Sequence, residues 1–583
     1  MTMKILSSMQ IKPLDAFTFV RHLVRRWDVV ALIVVIALLT FFAEASHGVL
    51  EPLNNLESTP LSLDPVHLPF YAARTTARMF TGLSFSLLFT LTYATWAAKS
   101  PRAEKLLIPI LDILQSVPII GFMSVTLVFF MSLAPGRVLG VEFASIFLVF
   151  TSQAWNMAFS FYQSLRTVPI ELQEVAESFR LSPWMRFWRL EVPFGLPALL
   201  WNIMLSMAGG WFFVVAAEAI AVGTTTITLP GIGSYVALAI RQGNLKAIGW
   251  AILTMLIVIV ACDQLIFRPL VAWADRFRIE QEAGTWMAEP WALTMMRRSR
   301  IVHAVSAAFN GIVRWTSAAL PRRTAEEGKP ISKVAQRAFS ILSFVGLVIL
   351  VALIVWEVLG GLVLSTTWNE ILHVVGLALI TMLRVTVLIA IASIIWVPIG
   401  IKIGLNPRVT RVVQPIAQFL AAFPANLLFP VAFFGIVYWS LDADIWLSPL
   451  MVLGTQWYIL FNVIAGAAAM PTELRNAADS FGVRGLLWWR RVAIPAVFPY
   501  FVTGAITASG GSWNAAYVAE VINWKSTEIK AHGIGAYLAE ATTAGDFHRI
   551  LLGISVMCLF VVTINRIFWR PLYYYAERKF RIS

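Results

Sequence analysis

Charge is scarce in this chain. Only 13% of its 583 residues are Asp, Glu, Lys or Arg, about half the share found in an ordinary soluble domain, while 58% are hydrophobic. That balance excludes a soluble globular protein and makes the chain an integral membrane protein. Cysteine is almost missing: Cys262 and Cys558 both sit inside apolar runs, at positions that do not correspond between the two halves, so neither a disulfide framework nor a metal site is expected. The seven histidines are scattered without HExxH spacing. No Gly-rich loop ends in Lys-Ser or Lys-Thr, and no nucleophile elbow is present, so the chain lacks the usual cradle for ATP and the usual hydrolase nucleophile. It is expected to be no enzyme, with no catalytic residues, no metal and no cofactor of its own. Lys and Arg are also missing from residues 44–73, where Glu44, Glu51, Glu57 and Asp64 stand alone. No cleavable signal is expected at the start, because Asp15 and Asp28 interrupt it and no clear small-residue cleavage site follows.

What is abundant is long apolar runs. A helix needs about 20 mostly apolar residues to cross the hydrocarbon core, where an open backbone finds no hydrogen-bond partner. Candidate spans lie near 29–43, 78–98, 106–133, 141–162, 195–222 and 247–271, and again near 339–364, 372–400, 412–439, 447–467, 496–521 and 550–571. The expected fold is therefore an all-α polytopic membrane protein of about 12 transmembrane helices, arranged as two tandem six-helix halves. A cytoplasmic arm (1–28), a first membrane domain (29–272), a basic linker (273–338) and a second membrane domain (339–583) follow from the same pattern. Loops that hold Lys and Arg stay in the cytoplasm. Arg25 and Arg26, Lys99 and Lys105, and Arg186 and Arg189 fall on one side, opposite the acidic 44–73 segment, which puts both termini in the cytoplasm. The net charge of +13 is explained by this topology, and nucleic-acid binding is not expected because the basic residues are dispersed among the spans. In the linker, Trp291, Met295, Ile301, Val305, Phe309 and Ile312 can share one helix face. Three readings stay open there: a solvated tether, an interfacial helix on the inner membrane surface, or a regulatory docking site.

The halves are copies of one another. At an offset of 302, Glu174, Ala176, Ser178, Phe179, Arg189 and Pro193 correspond to Asn476, Ala478, Ser480, Phe481, Arg491 and Pro495. The register continues through Trp211 and Trp513, Glu218 and Glu520, Gly231-Ile232-Gly233 and Gly533-Ile534-Gly535, to Arg268-Pro269 and Arg570-Pro571. The duplicated loop reads as a short helix, a break and a second helix before a new span. Its small residues Ala176, Ala477 and Ala478 would let it approach a partner closely, and Gly482 would supply the turn.

This loop resembles the EAA loop of binding-protein-dependent ABC importer permeases, in which Glu-Ala-Ala is followed by a Gly and, at a fixed distance, by a hydrophobic residue and Pro. Both copies keep 19 residues from the first position to Pro193 or Pro495. Copy one departs with Val175 and Arg180, copy two with Asn476, and each keeps what the other has lost. The resemblance covers about 74–269 and 379–571. Within that group the chain looks most like the nitrate, sulfonate, taurine and bicarbonate permeases, through Pro109 with Ser116-Val117-Pro118, Pro415 with Phe423-Pro424, and Ala217-Glu218 and Ala519-Glu520 with the Gly-Ile-Gly turns. It implies the type I importer transmembrane fold in a bacterial inner membrane. It also implies two ATP-binding subunits, which hold ATP and Mg, and an extracytoplasmic solute-binding protein as partners in a lipid bilayer. The contacts to the ATP-binding subunits would come from Glu174, Ala176, Glu177, Ser178, Phe179, Arg189 and Pro193 in loop 1. Loop 2 would use Asn476, Ala477, Ala478, Asp479, Gly482, Arg490, Arg491 and Pro495.

For the substrate path, duplicated polar residues in apolar spans are the clue, because such groups are costly in a membrane unless they face water or partners. Arg78 and Arg384, at an offset of 306, and Glu218 and Glu520 fit this description. Facing a central cavity, the arginines would attract a small anion. Alternatively each Arg pairs with a Glu and locks its bundle, or snorkels to the interface. Pro118 and Pro424 would break helices at the translocation interface or kink packed ones, and Trp211 and Trp513 would gate the halves or simply pack. A gradient-driven carrier of twelve spans is the alternative function. It needs coupling-ion carboxylates near the midplane rather than a duplicated docking loop.

Overall fold

A computed structural model describes residues 61–116, 119, 123–222, 225–274, 311, 316 and 367–580. The expected N-terminal arm, the spans at 29–43 and 339–364, Pro118 and nearly all of the linker lie outside the described residues. In the first half the chain runs α1 (Leu68–Lys99), α2 (Pro101–Ser116), α3 (Met123–Leu133), α4 (Val138–Arg166), α5 (Ile170–Ser178), α6 (Pro183–Arg186), α7 (Val192–Glu218), β1 (Ala219–Val222), β2 (Thr225–Thr228), α8 (Ile232–Gln242), α9 (Leu245–Cys262) and α10 (Arg268–Ala274). The second half repeats the order. It has α11 (Trp368–Gly404), α12 (Pro407–Ala422), α13 (Phe429–Tyr438), α14 (Ala443–Trp446), α15 (Ser448–Leu453), α16 (Gln456–Ala468), α17 (Thr472–Ser480), α18 (Gly485–Trp488), α19 (Ile494–Ala519), β3 (Val521–Trp524), β4 (Thr527–Lys530), α20 (Ile534–Ala544), α21 (Phe547–Ile564) and α22 (Arg570–Phe580). Two compact units divide the described residues, one holding 168–197 and 263–274, the other 61–167, 198–262 and 367–580.

Helix α11 shows why these segments are helices that face lipid. Its buried positions, Val374, Ala378, Thr381, Val385, Ile389 and Ala392, recur at steps of three and four and form one stripe. Leu383, Val387, Ile391 and Ile394 recur in the same way on the opposite side and are exposed on the protein surface. Both stripes are apolar, as a helix packed on one side and bathed in lipid on the other requires. Close packing between helices uses small residues, as in membrane bundles generally: a side chain at Gly82 of α1 would press into Val149 of α4, beside the bond from Ser86 Oγ to the Phe150 carbonyl at 3.1 Å.

Among the described residues, six helices are long and apolar enough to span a membrane, or up to eight if each bent pair is one span. The expectations at 78–98 and 106–133 fall short of that measure for separate reasons. Helix α1 is long enough, but its buried face carries Thr75, Thr76, Arg78, Ser86 and Thr90. The run at 106–133 is broken, with α2 ending at Ser116 and α3 starting at Met123. Its counterpart at 412–439 bends by 78° between α12 and the segment Ala425–Tyr438. Pro424 causes this break, because it pushes Phe423 out of the helical region to φ −71°, ψ 127°. The run at 447–467 bends by 43°.

The fifth span of each half stops earlier than the sequence suggests. Residues 219–222 and Val521, expected at the ends of helices, lie in strands of two antiparallel hairpins, pairing Ala219 with Thr228 and Val521 with Lys530. The short strands are rich in Val, Ile and Thr, which suit extended backbone. Among the described residues the protein is all-α apart from these hairpins.

Candidate functional site

The two loops at the matching positions fold alike. Helix α5 ends where Arg180 turns to φ +49°, and α17 where Gly482 turns to φ +65°. In both, the next amide reaches back five residues, Leu181 N to the Ala176 carbonyl at 3.1 Å and Val483 N to the Ala478 carbonyl at 2.9 Å. This left-handed cap closes the helix and satisfies its last carbonyls. It accounts for Gly at this position in copy two, and Arg180 holds the same geometry under strain. A Cβ at 482 would meet open space, so Gly482→Ala is expected to cost only the backbone term, about 1–2 kcal/mol. Hydrogen exchange confined to 472–488 checks this, and Arg180→Gly should move protection of 170–186 the other way.

The prolines have an equally local reason. Pro193 and Pro495 lack the N–H that the Arg189 and Arg491 carbonyls would receive from the fourth residue on. The backbone answers with one π-helical turn in each copy, Phe187–Glu191 and Trp489–Ala493, closed by Val192 N to the Phe187 carbonyl and by Ile494 N to the Trp489 carbonyl. In the second half the helix therefore continues from α18 through the π turn into α19, Gly485–Ala519. In that half the loop's second helix is thus continuous with its span.

Side chains divide into inward and outward sets. Ala176 and Ala478 are buried, and their small size serves packing within the chain. Exposed instead are Phe179, at 75%, and Phe481, at 84%. Beside them, exposed, stand Glu174, Glu177, Ser178 and Arg189 in one loop and Asn476, Ala477, Asp479, Arg490 and Arg491 in the other. Arg186 braces loop 1 through Gln173 at 2.8 Å and Glu177 at 3.5 Å. Loop 2 has Trp488 at the matching position.

The duplicated arginines do not face an open cavity. Arg78, 4% exposed, binds Glu142 through two bonds of 2.6 and 2.8 Å and Glu218 through one of 2.6 Å. Its Nη1 also donates to the Pro230 carbonyl at 2.9 Å. Glu218 further accepts from Thr75 Oγ1 at 2.6 Å and from Gly233 N at 2.7 Å. The second half repeats this arrangement: Arg384 meets Asp444 at 2.7 Å, Glu520 at 3.6 Å and the His532 carbonyl at 2.7 Å. Glu520 accepts from Thr381 Oγ1 at 2.7 Å and Ala536 N at 3.0 Å. Of the readings open for these arginines, the structure has the paired one.

The same geometry explains the Gly-Ile-Gly turns. Each begins a helix, α8 or α20, whose first amides point at the carboxylate of Glu218 or Glu520, a favourable place for a negative charge. A side chain at Gly231 or Gly533 would collide with that carboxylate, and one at Gly233 or Gly535 with the backbone carbonyl of Val215 or Ala516. Gly233→Ala is expected to cost at least about 3 kcal/mol, because a backbone atom cannot yield as a side chain can. A fall in the thermal midpoint of the purified chain reads it.

Two residues of these clusters escaped the sequence analysis. Glu142 and Asp444 are related by the 302 offset, and testing every acidic residue at that offset would have found them. They differ in setting: Glu142 is buried with Arg78, whereas Asp444 is 39% exposed and bonds His532 Nδ1 at 2.8 Å.

The halves meet through reciprocal contacts. Asn514 of α19 accepts from Ile119 N at 2.6 Å, and Asn426 donates to the Phe212 carbonyl of α7 at 3.5 Å. Trp201 stacks on Phe461 with ring centroids 4.7 Å apart. Lys525 N, in the second hairpin, donates to the Ile240 carbonyl at the end of α8 at 3.1 Å. Trp211 and Trp513 are fully enclosed, each 2% exposed, so they pack rather than line an open passage.

Two membrane halves of one build, each with an exposed loop at a span junction, define a duplicated transmembrane permease domain. The family described as binding-protein-dependent transport system inner membrane component matches residues 90–275 and again 396–582. The chain belongs to this family through both halves and is an inner-membrane protein. It is similar to the bicarbonate transport system permease protein CmpB of Synechococcus elongatus, 28% identical over 164 residues, covering 28% of this chain and 54% of the relative. It is 26% identical over 182 residues to the nitrate import permease protein NrtB of Leptolyngbya laminosa, covering 31% and 62%. A third relative is the glycine betaine/proline betaine transport system permease protein ProW of Escherichia coli, 28% identical over 161 residues, covering 27% and 43%. The chain thus spans about half the length of the relatives it matches.

Proposed function

We propose that this chain is the fused double permease of an ABC importer, one polypeptide supplying both membrane halves of the translocation path. The observation that carries the reading is the duplicated loop. Phe179 and Phe481 are large apolar side chains exposed beside charged residues at span junctions, and such groups mark a partner surface. The partners are two ATP-binding subunits, which hold and hydrolyse ATP with Mg, and an extracytoplasmic solute-binding protein. Both loops and both termini face the cytoplasm in this reading, in keeping with Arg189, Arg490 and Arg491 beside the loops.

The solute is small. Bicarbonate, nitrate and betaines, named for the relatives, share a planar oxygen-bearing anionic group, and that group is the chemistry proposed here. The buried arginines do not supply its site, since carboxylates of the chain already neutralise them. Recognition would fall to neutral hydrogen-bonding groups where the halves cross, Asn426 and Asn514 among them. Proteoliposomes holding the chain and its ATP-binding partners test the proposal. Uptake of one of these solutes should require ATP inside and survive collapse of every ion gradient. Uptake by the chain alone under an ion gradient would instead make it a secondary carrier.

A further inference from the structure

The C-terminal helix carries a cleft that the transport reading does not use. We propose that this cleft binds the headgroup of an anionic phospholipid. The cleft is shallow and open to solvent, about 450 Å³, and is lined by Pro571, Tyr574, Tyr575, Arg578 and Lys579 along one face of α22. Lys579 Nζ lies 2.8 Å from Tyr575 Oη and 5.1 Å from the centroid of that ring. Tyr574, Tyr575, Arg578 and Lys579 are exposed, so a phosphate in the cleft would meet two cations and two phenol hydroxyls. Glu577 is the only acidic residue in Arg570–Phe580.

Position along the helix selects a lipid over a free anion. Ile567 and Phe568, exposed at 73% and 55%, are apolar side chains suited to acyl chains. Pro571 follows three residues later, about 5 Å further along a helix, and a headgroup layer is roughly 5–8 Å deep. Side chains on a helix tilt toward its N-terminus, so Arg578 and Lys579 reach back toward that layer with their apolar stems along the surface.

Of the cleft's two cations the first half keeps only one, Arg276 standing where the second half has Arg578. At the 302 offset, Asp263 stands where the second half has Asn565, and Asp263 pairs with Arg268 at 3.0 Å. Ala272, Trp273 and Phe277 stand where the second half has Tyr574, Tyr575 and Lys579. The divergence adds hydroxyl-bearing rings and a second cation to this face, which suits a phosphate.

The full-length chain in nanodiscs, given photoactivatable phosphatidylglycerol or phosphatidylcholine with the same acyl chains, tests this by mass-spectrometric mapping of the cross-links. Phosphatidylglycerol should label 571–579, and Arg578→Ala with Lys579→Ala should lower that labelling about thirtyfold, since each basic residue at an anionic surface contributes about a fivefold preference. Both side chains are exposed, so the variant should keep the parent's thermal midpoint. Equal labelling by phosphatidylcholine, or labelling unchanged in the double variant, overturns the proposal. Competition by millimolar inorganic phosphate would make the ligand a free anion and overturn it too. Loss of labelling when the ATP-binding partners are bound would assign the face to a protein and overturn it as well.

Discussion

Arg78→Ala is expected to destabilise the first half by about 3–5 kcal/mol, because it strands two carboxylates that the fold has withdrawn from water. Glu218 has no measurable exposure and Glu142 is 4% exposed, so neither can recover solvation without opening the packing around α1, α4 and α8. Arg384→Ala should cost clearly less. Asp444, its nearer partner, is 39% exposed and keeps the His532 ring and backbone amide as partners at 2.8 and 2.6 Å. Glu520 also retains Thr381 and Ala536. Thermal midpoints of the two purified variants in one detergent read the difference. Equal and small shifts would show that neither cluster braces the half that contains it. Removing the charges as a set, with Arg78, Glu142 and Glu218 all replaced by apolar residues of similar volume, should restore much of the loss.

Phe481→Asp is expected to weaken association with the ATP-binding partner by about thirtyfold or more, the scale of an aromatic anchor lost from an interface. The chain itself should keep its thermal midpoint, since the ring is 84% exposed and packs on little of its own protein. Ala478→Arg is the instructive contrast. Ala478 is buried and its carbonyl closes the cap, so arginine there should damage the loop before any partner is met. Phe179→Asp should act like Phe481→Asp, and the double variant should abolish ATP-dependent uptake. A Phe481→Asp chain that binds the ATPase as tightly as its parent would remove the docking role from this residue.

The repeat was legible because each copy preserves the local chemistry that its backbone needs. Gly482 marks a left-handed cap, Pro193 and Pro495 mark π turns, and Gly231 and Gly533 mark close approach of a helix to a carboxylate. What the spacing did not reveal is which way a residue faces. The two alanines looked like a partner surface by analogy with small residues elsewhere, but a loop needs packing of its own, and the exposed aromatic three residues on is the outward group. Likewise Arg78 and Glu218 could be recognised as costly in a membrane, while their mutual pairing depended on contacts 140 residues apart in sequence. The first strand, 219–222, was read as the end of a helix because Ile and Val suit both states in a short apolar run. The broken spans were only half visible: Pro424 announces its break, yet the run of 412–439 looks continuous by hydropathy alone.

The measurement that bears most directly on the central claim is the stoichiometry of the complex recovered with the tagged chain from its native membrane in mild detergent. Mass spectrometry and an ATPase assay on the same sample would read it. Two ATP-binding subunits per chain are the predicted result, one for each loop, with hydrolysis lost on combining Phe179→Asp and Phe481→Asp. Recovery of the chain with no ATP-binding protein across several detergents would contradict the importer reading and leave a gradient-driven carrier in its place.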